Sequence, residues 1–391
     1  MSVDRRKFIR NLIAGAAAVP TLSACGGSSA GNNENSQTKS SDQPEPQQPG
    51  AIPDSPAPVS TQSLSFLVIG DTGTGNQGQY HVAAAMEAVV KERGASFVLL
   101  TGDNIYEDGV TSVDDPRFLD SFEYPYQNLD LPFYLCLGNH DCASTIMGGG
   151  SDNKRGNYQV DYHYSRDRYS NKWNMPARFY NEVFGQQADG KPFMELFVVD
   201  SNPLTSFYED RDPEFSWQEY GYPQQLWMKE TVESSQAHWK IAMSHVPYKS
   251  NGKHGNAGNL DEGLRILFTS PDADGLRYKS YMEECFAHKT DLLFTGHDHS
   301  MQWIKPVREL GSCHIVVSGA GGKTDSLKDP DRNPTFYQRE EMLGFVRVEL
   351  TANTMTLDFY AVDPDTGAYE IGFSRQETKP VTAQEPAETA V

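Results

Sequence analysis

Short apolar runs rich in β-branched and aromatic residues recur along the chain from residue 64, and amphipathic segments separate many of them. Runs of this length predict buried strands, whereas apolar positions spaced three and four residues apart predict helices. The pattern predicts strands at residues 64–69, 97–100, 133–137, 196–199, 239–243, 292–294, 314–317, 344–350 and 354–360. It predicts helices at residues 81–91, 226–234 and 278–288. This alternation is typical of a layered α/β fold, and the last three strands, which have no long helix between them, form a separate group in the prediction.

Two polar stretches flank the α/β region. Residues 26–63 consist mainly of Gly, Ser, Asn, Gln, Pro and Asp, and residues 376–391 are similarly polar. Such compositions bury too little apolar surface to offset the entropy of ordering the chain. We therefore expect a disordered tether over residues 25–63, a single folded domain over residues 64–375, and a disordered tail over residues 376–391.

The first 24 residues are typical of an export signal. An Arg-Arg-Lys-Phe-Ile-Arg run at residues 5–10 resembles the twin-arginine motif, and the weakly apolar run that follows is too short to span a bilayer. Leu22-Ser23-Ala24-Cys25 resembles the lipobox of bacterial lipoproteins, which implies cleavage before Cys25 and acylation of its thiol. The alternative is ordinary secretory cleavage, which would leave a soluble product. We expect export by the twin-arginine machinery and a lipid anchor in a membrane, on the periplasmic or cell-surface side.

Charge and cysteine usage narrow the function classes. The formal net charge of −20 argues against nucleic-acid binding, because the chain has no basic stripe to displace phosphate counterions. Besides Cys25 the chain has Cys136, Cys142, Cys285 and Cys313, without the Cys-x-x-Cys spacing of a thiolate metal site. These four could pair in three ways after export, or remain buried free thiols.

Polar side chains follow five predicted strands, at the point where each strand ends. The motifs are Gly70-Asp71, Gly102-Asp103, Gly138-Asn139-His140, His245 and Gly296-His297-Asp298-His299. Loops after the carboxyl ends of strands in an open α/β sheet converge on one crevice, so these motifs are expected to form one site. We expect the preceding glycines to allow sharp turns close to a bound ion.

The donor types in these motifs indicate metal binding. Oxygen and imidazole donors without thiolate suit iron, zinc or manganese. The candidate ligands exceed the need of one ion and suit two ions about 3.5–4 Å apart that share a carboxylate. They are Asp71, Asp103, Tyr106, Asn139, His245, His297 and His299.

The order of these motifs resembles the calcineurin-like metallophosphoesterase superfamily, and more closely its purple acid phosphatase branch. In the wider superfamily the first motif is Asp-x-His, whereas this chain has Asp71-Thr72-Gly73. Purple acid phosphatases replace the lost histidine by a tyrosine three residues after the second aspartate, and Tyr106 follows Asp103 at that spacing. The resemblance includes residues 173–176, 197–200 and 318–322, spans roughly residues 64–362, and is closest to the small, tartrate-resistant enzymes.

The resemblance implies a fold, a metal centre and a reaction. It implies a four-layer α/β/β/α sandwich in which Asp71, Tyr106 and His299 bind Fe(III) and Asp103 bridges to a divalent iron, zinc or manganese ion. The divalent ion would be bound by the remaining ligands, Asn139, His245 and His297. The excess positive charge of such a pair would attract phosphate locally even in an acidic protein.

The expected reaction is hydrolysis of phosphate monoesters by a metal-activated hydroxide. The resemblance makes His140 a phosphoryl contact and the proton donor to the leaving group, and makes His254 a second substrate-facing residue. We also expect Asp141 to orient His140. Two alternatives stay open: a phosphodiesterase on nucleotides or lipid head groups with the same centre, and a lipoprotein that only captures phosphate or metal.

The other histidines have ordinary structural explanations. Buried histidines are more often hydrogen-bonded parts of the core than ligands. We therefore assign structural roles to His81, His163, His238, His288 and His314.

Overall fold

The structure is a computed structural model that describes residues 60–144, 150–205, 212–260 and 275–379. The predicted signal, the lipidated Cys25 and most of the predicted tether lie outside the described residues. Within the described ranges, the strands form two seven-stranded sheets and one two-stranded ribbon. The strands are β1 (Ser63–Ile69), β2 (Val98–Leu100), β3 (Phe133–Leu135), β4 (Trp173–Asn174), β5 (Tyr180–Gln186), β6 (Pro192–Val198), β7 (Trp239–Met243), β8 (Gly255–Asn256), β9 (Asn259–Leu260), β10 (Leu292–Thr295), β11 (Met301–Ile304), β12 (His314–Ser318), β13 (Thr335–Arg339), β14 (Leu343–Thr351), β15 (Thr354–Val362) and β16 (Tyr369–Thr378).

Both large sheets are mixed. The first sheet has the order β16-β15-β14-β1-β2-β3-β4, and the second has the order β13-β11-β12-β10-β7-β6-β5. Strands β1 to β4 are parallel to one another in the first sheet, as are β6, β7, β10 and β12 in the second. Antiparallel strands complete each sheet, and β8 pairs with β9 in the ribbon.

Helices connect the parallel strands. The α-helices of the described residues are α1 (Gln77–Arg93), α2 (Lys154–Tyr164), α3 (Asn202–Thr205), α4 (Tyr222–Ser234) and α5 (Leu276–Phe286). Short 3₁₀ or π-helical turns occupy Leu119–Glu123, His140–Cys142, Pro213–Phe215 and Trp217–Gly221. Asn76 caps α1, because its side chain accepts a hydrogen bond from the backbone N–H of Gln79.

The two sheets pack face to face, with helices outside them. Alternate side chains of one strand point to opposite faces, so Ile241 and Met243 enter the core between the sheets while Ala242 enters the core under α4 and α5. Phe66 of the first sheet meets Phe294 of the second edge to face, with ring centroids 6.1 Å apart. Helix α1 covers the outer face of the first sheet at β14 and β15. This arrangement is the four-layer α/β/β/α sandwich that the resemblance implied.

Every predicted strand and helix is present in the described residues, and most boundaries agree within two residues. The largest errors are at the starts of β6, α1 and α4, each of which begins four residues before the predicted position. The N-cap at Asn76 explains the early start of α1, because it satisfies a backbone N–H that the apolar pattern does not report.

Three expectations about organisation were wrong. The three late strands do not form one group, because β12 lies inside the second sheet while β14 and β15 belong to the first. The ordered domain begins before residue 64, since the N–H of Thr61 donates to the carbonyl of Gln186 at 2.7 Å. It also continues past residue 375, because β16 pairs with β15 up to Thr378. Strand β16 is an exposed edge strand, so it lacks the apolar alternation that predicts a strand.

The four cysteines of the described domain are buried free thiols, which decides between the two readings of the sequence. Burial raises the pKa of the Cys142 and Cys313 thiols far above that of an exposed cysteine, so they pack as small apolar groups. In the part of the chain that the structure describes, no helix is both long enough and apolar enough to cross a bilayer.

Candidate metal centre

The predicted site residues come together where the parallel strands of both sheets end. Within the first sheet, the N–H of Asp71 donates to the carbonyl of Gly102 at 3.0 Å. Hydrogen bonds also cross between the sheets: His245 Nδ1 contacts the carbonyl of Thr101 at 2.8 Å, and the N–H of His297 donates to Asp71 Oδ2 at 2.8 Å. The convergence predicted from the strand ends is therefore present.

The backbone turns at the candidate ligands themselves more often than at the preceding glycines. Asp71, Asp103 and His297 have φ values of 58°, 51° and 70°, in the left-handed region that residues with a Cβ rarely adopt. Such strain is typical of functional sites. Among the preceding glycines, Gly102 also has a positive φ, of 94°. Gly138 is required for a different reason, because a Cβ there would lie 2.2 Å from Asp103 Oδ1. The glycines therefore mainly allow neighbouring side chains to approach the backbone closely, and only Gly102 also provides a left-handed turn.

One group of candidate ligands surrounds His245, which is fully buried. Its Nε2 atom lies 2.9 Å from Asn139 Oδ1, 3.1 Å from His297 Nδ1 and 3.4 Å from Asp103 Oδ1. Because the Thr101 carbonyl can only accept, Nδ1 of His245 carries a proton and Nε2 faces the group. Asp103, His245 and His297 together have the geometry of a metal-binding group.

A second group surrounds the hydroxyl of Tyr106, a residue that is only 8% exposed. This hydroxyl donates to Asp71 Oδ1 at 3.1 Å and lies 3.3 Å from His299 Nε2. His299 Nε2 is also 3.6 Å from Asp71 Oδ1. Asp103 lies near this hydroxyl as well as near His245, so it stands between the two groups.

The electrostatics of the pocket favour a bound cation. Burial lowers the pKa of His245, but the nearby Asp103 carboxylate outweighs burial and raises that pKa to about 10. Burial raises the pKa of Tyr106 well above its ordinary value, and the negative charges of Asp103 and Asp71 raise it further. Both shifts reflect the negative charge of the two aspartates, which a bound cation would offset.

His140 and His254 flank the two groups. His140 Nδ1 donates to the carbonyl of Glu107 at 2.6 Å, and its Nε2 points towards Asp103, 4.0 Å from Oδ2. The ring of His254 stacks on that of His297, with centroids 3.7 Å apart. The backbone N–H of His254 donates to Asp298 Oδ1 at 3.0 Å. Asp298 lies between the candidate ligands His297 and His299 in the chain, so this bond holds the His254 loop against that motif.

Asp141 makes a different contribution from the one expected. Its carboxylate accepts hydrogen bonds from the backbone N–H groups of Asn104, Ile105 and Gly138, at 2.8–3.1 Å. It therefore ties the loop after β2 to the loop after β3. In the structure the His140 ring contacts Glu107 and Tyr106 rather than Asp141.

The sequence model of the calcineurin-like phosphoesterase family matches residues 64–301, which is more than half of the chain. The chain belongs to this family. It is 29% identical over 322 residues to purple acid phosphatase 4 of Arabidopsis thaliana, which covers 78% of this chain and 82% of the relative. It is 26% identical over 319 residues to human tartrate-resistant acid phosphatase type 5, which covers 76% of this chain and 87% of the relative.

The solved structures agree on the fold of this phosphoesterase. The Plasmodium inner membrane complex anchor GAP50 superposes with a TM-score of 0.61 at 19% identity, covering 81% of this chain and 89% of that one. The purple acid phosphatase PPD1 of yellow lupin superposes with a TM-score of 0.52 at 13% identity, covering 81% and 54%. At these identities the likeness concerns the fold alone. The family match supports a phosphoester hydrolase, and the chain's relatives include purple and tartrate-resistant acid phosphatases.

Three charged residues at the rim of the phosphoesterase site were not predicted from the sequence. Glu107 contacts His140, Lys323 Nζ lies 3.6 Å from the ring centroid of Tyr106, and Asp325 Oδ2 lies 2.8 Å from His299 Nδ1. Lys323 and Asp325 follow β12, another parallel strand of the second sheet. Both lie several residues beyond the end of β12, so no strand-end motif in the sequence indicates them.

The predicted structural histidines have partners outside the site. Nδ1 of His81 bonds to the carbonyl of Pro364, Nδ1 of His163 to that of Trp173, and Nε2 of His238 to that of Ala352. His314 Nδ1 accepts a hydrogen bond from the indole N–H of Trp303 at 3.2 Å. For these four residues the contacts match the structural assignment.

The residues present fit a metal centre. Lone-pair atoms of Asn139 and Asp103 face His245 Nε2 at 2.9–3.4 Å, and a cluster of acceptors needs a proton or a cation between its members. The donors are nitrogen and oxygen only, which suits iron, zinc or manganese. In both groups the ring nitrogen remote from the group is bonded to the protein, as ligating histidines usually are.

Proposed function

We propose that this phosphoesterase hydrolyses phosphate monoesters, outside the cytoplasm, at a dinuclear centre of Fe(III) and a divalent iron, zinc or manganese ion. The observation that carries the proposal is the position of Tyr106. Its hydroxyl lies 3.1 Å from Asp71 Oδ1 and 3.3 Å from His299 Nε2. This position supports Tyr106 as the replacement for the histidine that the Asp71-Thr72-Gly73 motif lacks.

The two groups of side chains divide naturally between two ions. Asp71, Tyr106 and His299 would bind the ferric ion, because a phenolate is a hard donor that suits Fe(III). The divalent ion would be bound by Asn139, His245 and His297. Asp103 would be shared by the two ions. Bound metal ions would supply Lewis acidity towards the phosphoryl group and an activated water as the nucleophile.

The histidines at the rim bind the substrate and move a proton. Because Nδ1 of His140 donates to the Glu107 carbonyl, its ring is fixed with Nε2 facing the site. In its doubly protonated form the ring can contact a phosphoryl oxygen and donate the Nε2 proton to the leaving alkoxide. His254, stacked on His297, would contact the phosphoryl group from the other side. Both stabilise negative charge that develops as the ester bond breaks.

Two other functions would use the same residues. A phosphodiesterase acting on nucleotides or lipid head groups needs the same metal centre. A lipoprotein that only captures phosphate or metal would need the centre but no proton donor, so the fixed orientation of His140 favours catalysis over capture.

The proposal is tested on the purified protein by metal analysis, a visible spectrum, and hydrolysis of p-nitrophenyl phosphate and bis(p-nitrophenyl) phosphate. We expect bound iron with a second metal, a tyrosinate charge-transfer band, and faster cleavage of the monoester. A strong diester preference would favour the phosphodiesterase. A protein that binds these metals but cleaves neither ester would support capture, and one that takes up no iron would refute the proposed ferric site.

A further inference from the structure

Asp325 makes three contacts that join separate parts of the site. Its backbone N–H donates to the carbonyl of His299 at 2.9 Å, and its carboxylate contacts Nδ1 of the same histidine at 2.8 Å. The carboxylate also accepts a hydrogen bond from Lys253 Nζ at 2.6 Å. Lys253 directly precedes His254. One side chain therefore contacts both a candidate ligand and the loop of a candidate substrate-facing residue.

These contacts determine how His299 presents its ring. The carboxylate can only accept from Nδ1–H, so Nε2 is the nitrogen with the free lone pair. Nε2 is also the atom that faces Tyr106 and Asp71. A carboxylate bonded to the remote nitrogen of a ligating histidine fixes its tautomer and orientation and raises its basicity.

Lys253 completes the arrangement. Its side chain is 44% exposed and that of Asp325 is 36% exposed, so a carboxylate in this place could rotate into solvent. The ammonium group donates to Oδ2, the same carboxylate oxygen that contacts His299 Nδ1, and so limits that rotation. It also joins the His254 loop, which Asp298 already anchors through its backbone.

We propose that Asp325 is a positioning residue that fixes the His299 ring for metal binding and, through Lys253, links the His254 loop to it. This inference rests on the proposed metal centre. Asp325 is outside both groups of candidate ligands, so its effect on the chemistry would pass through His299. The arrangement predicts that Asp325 controls metal retention on the tyrosine side of the site, whereas Lys253 affects substrate binding.

The experiment uses the purified full-length protein and three variants, D325A, D325N and K253M. Asp329→Asn serves as the matched control, because Asp329 is on the same loop and pairs with Arg332 instead of a site residue. Iron retained after dialysis against a graded chelator series and the position of the visible band are measured first. Steady-state kcat and KM follow, and the thermal midpoint checks folding.

We expect D325A to lower the affinity for iron by about 10- to 100-fold and to shift the visible band, with D325N intermediate because an amide oxygen still accepts from Nδ1–H. K253M should retain iron like the wild type and show a raised KM. D329N should match the wild type in iron retention and in the position of the visible band. An unchanged thermal midpoint in D325N would separate loss of metal from loss of fold.

The outcomes separate the two hypotheses. If the wild type takes up no iron, the proposed function fails and this inference fails with it. If the wild type holds iron and D325A holds it as tightly as D329N does, only the inference is overturned. Iron loss in K253M equal to that in D325A would also overturn it, since Asp325 would then act through Lys253 instead of His299.

Discussion

The His245 side and the Tyr106 side of the site are held in different ways. His245 is fully buried, and its remote nitrogen bonds to a backbone carbonyl of the opposite sheet. The His299 side chain is 12% exposed, and its remote nitrogen bonds to the partly exposed carboxylate of Asp325. Tyr106 is likewise covered by a side chain, since Lys323 lies over its ring. The backbone therefore fixes one side, and rim side chains fix the other.

This difference determines which contacts of the site can be removed by substitution. A backbone carbonyl at a strand end cannot be removed by substitution without disturbing the sheet. A rim carboxylate can be removed while the fold stays intact. Substitutions at the rim should therefore weaken metal binding on the tyrosine side first. Loss of both metals should require substitution of a residue that both sides share.

The shared residue gives the largest expected effect. Asp103 lies near both His245 and Tyr106, and Asp103→Asn keeps its shape but removes its charge. We expect loss of both metals and a fall in kcat/KM on the order of 1,000-fold, which corresponds to about 4 kcal/mol. Metal analysis beside the Asp329→Asn control checks this. A variant that keeps one metal at the wild-type level would show that Asp103 does not bridge.

The next effect concerns the substrate rather than the metals. His140→Ala should slow hydrolysis of alkyl phosphates by about 10²- to 10⁴-fold, because these poor leaving groups need a proton. Hydrolysis of p-nitrophenyl phosphate should slow far less, and metal content should not change. His163→Ala is the control, since that ring bonds to Trp173 outside the site. Equal slowing of both esters would reject His140 as the proton donor.

Tyr106→Phe tests the rim-held side alone. The hydroxyl is the only group removed, so we expect the visible band to disappear and iron binding to weaken while the second metal stays bound. Tyr162→Phe removes another buried hydroxyl, one that donates to Glu123, and should leave the colour unchanged. Retention of the band in Tyr106→Phe would mean that another group supplies the charge transfer.

The smallest effect concerns the fold in acid. Burial lowers the pKa of His314 to about 4 from an ordinary value of 6.5. Between these pH values the histidine is protonated in the unfolded chain but neutral in the folded chain. Stability should therefore fall as the pH drops from 6.5 to 4, by about 3 kcal/mol at most. Glu377, Arg375 and Asp291 influence the ring but do not reverse the effect of burial.

His314→Gln keeps an acceptor for the Trp303 indole and removes the titration. Urea unfolding at pH 7 and pH 4.5 should show a smaller loss of stability in the variant than in the wild type. An identical loss in both proteins would assign the acid sensitivity to other groups. The result also shows whether activity lost in acid reflects the site or the fold.

Much of the site was predictable because its signals are local. Gly102-Asp103 and Gly296-His297 each stand at the end of an apolar run, and such runs are set by neighbouring residues alone. Asp325 was missed because its sequence is an ordinary polar loop. Only the packing of the loop after β12 against His299 gives it a partner. The interpretation of Asp141 was wrong for a related reason, since its adjacency to His140 in sequence does not place its carboxylate against the ring.

The sequence by itself determined the strands, the order of the motifs that follow them and the donor types, because apolar runs and strand-end motifs are properties of neighbouring residues. Tertiary structure alone decided that β12 lies apart from β14 and β15, that β16 extends the domain, and that the candidate ligands carry left-handed backbone. It also brought Asp325 and Lys323 to the rim. These features depend on contacts between residues far apart in the chain, and no local pattern encodes such contacts.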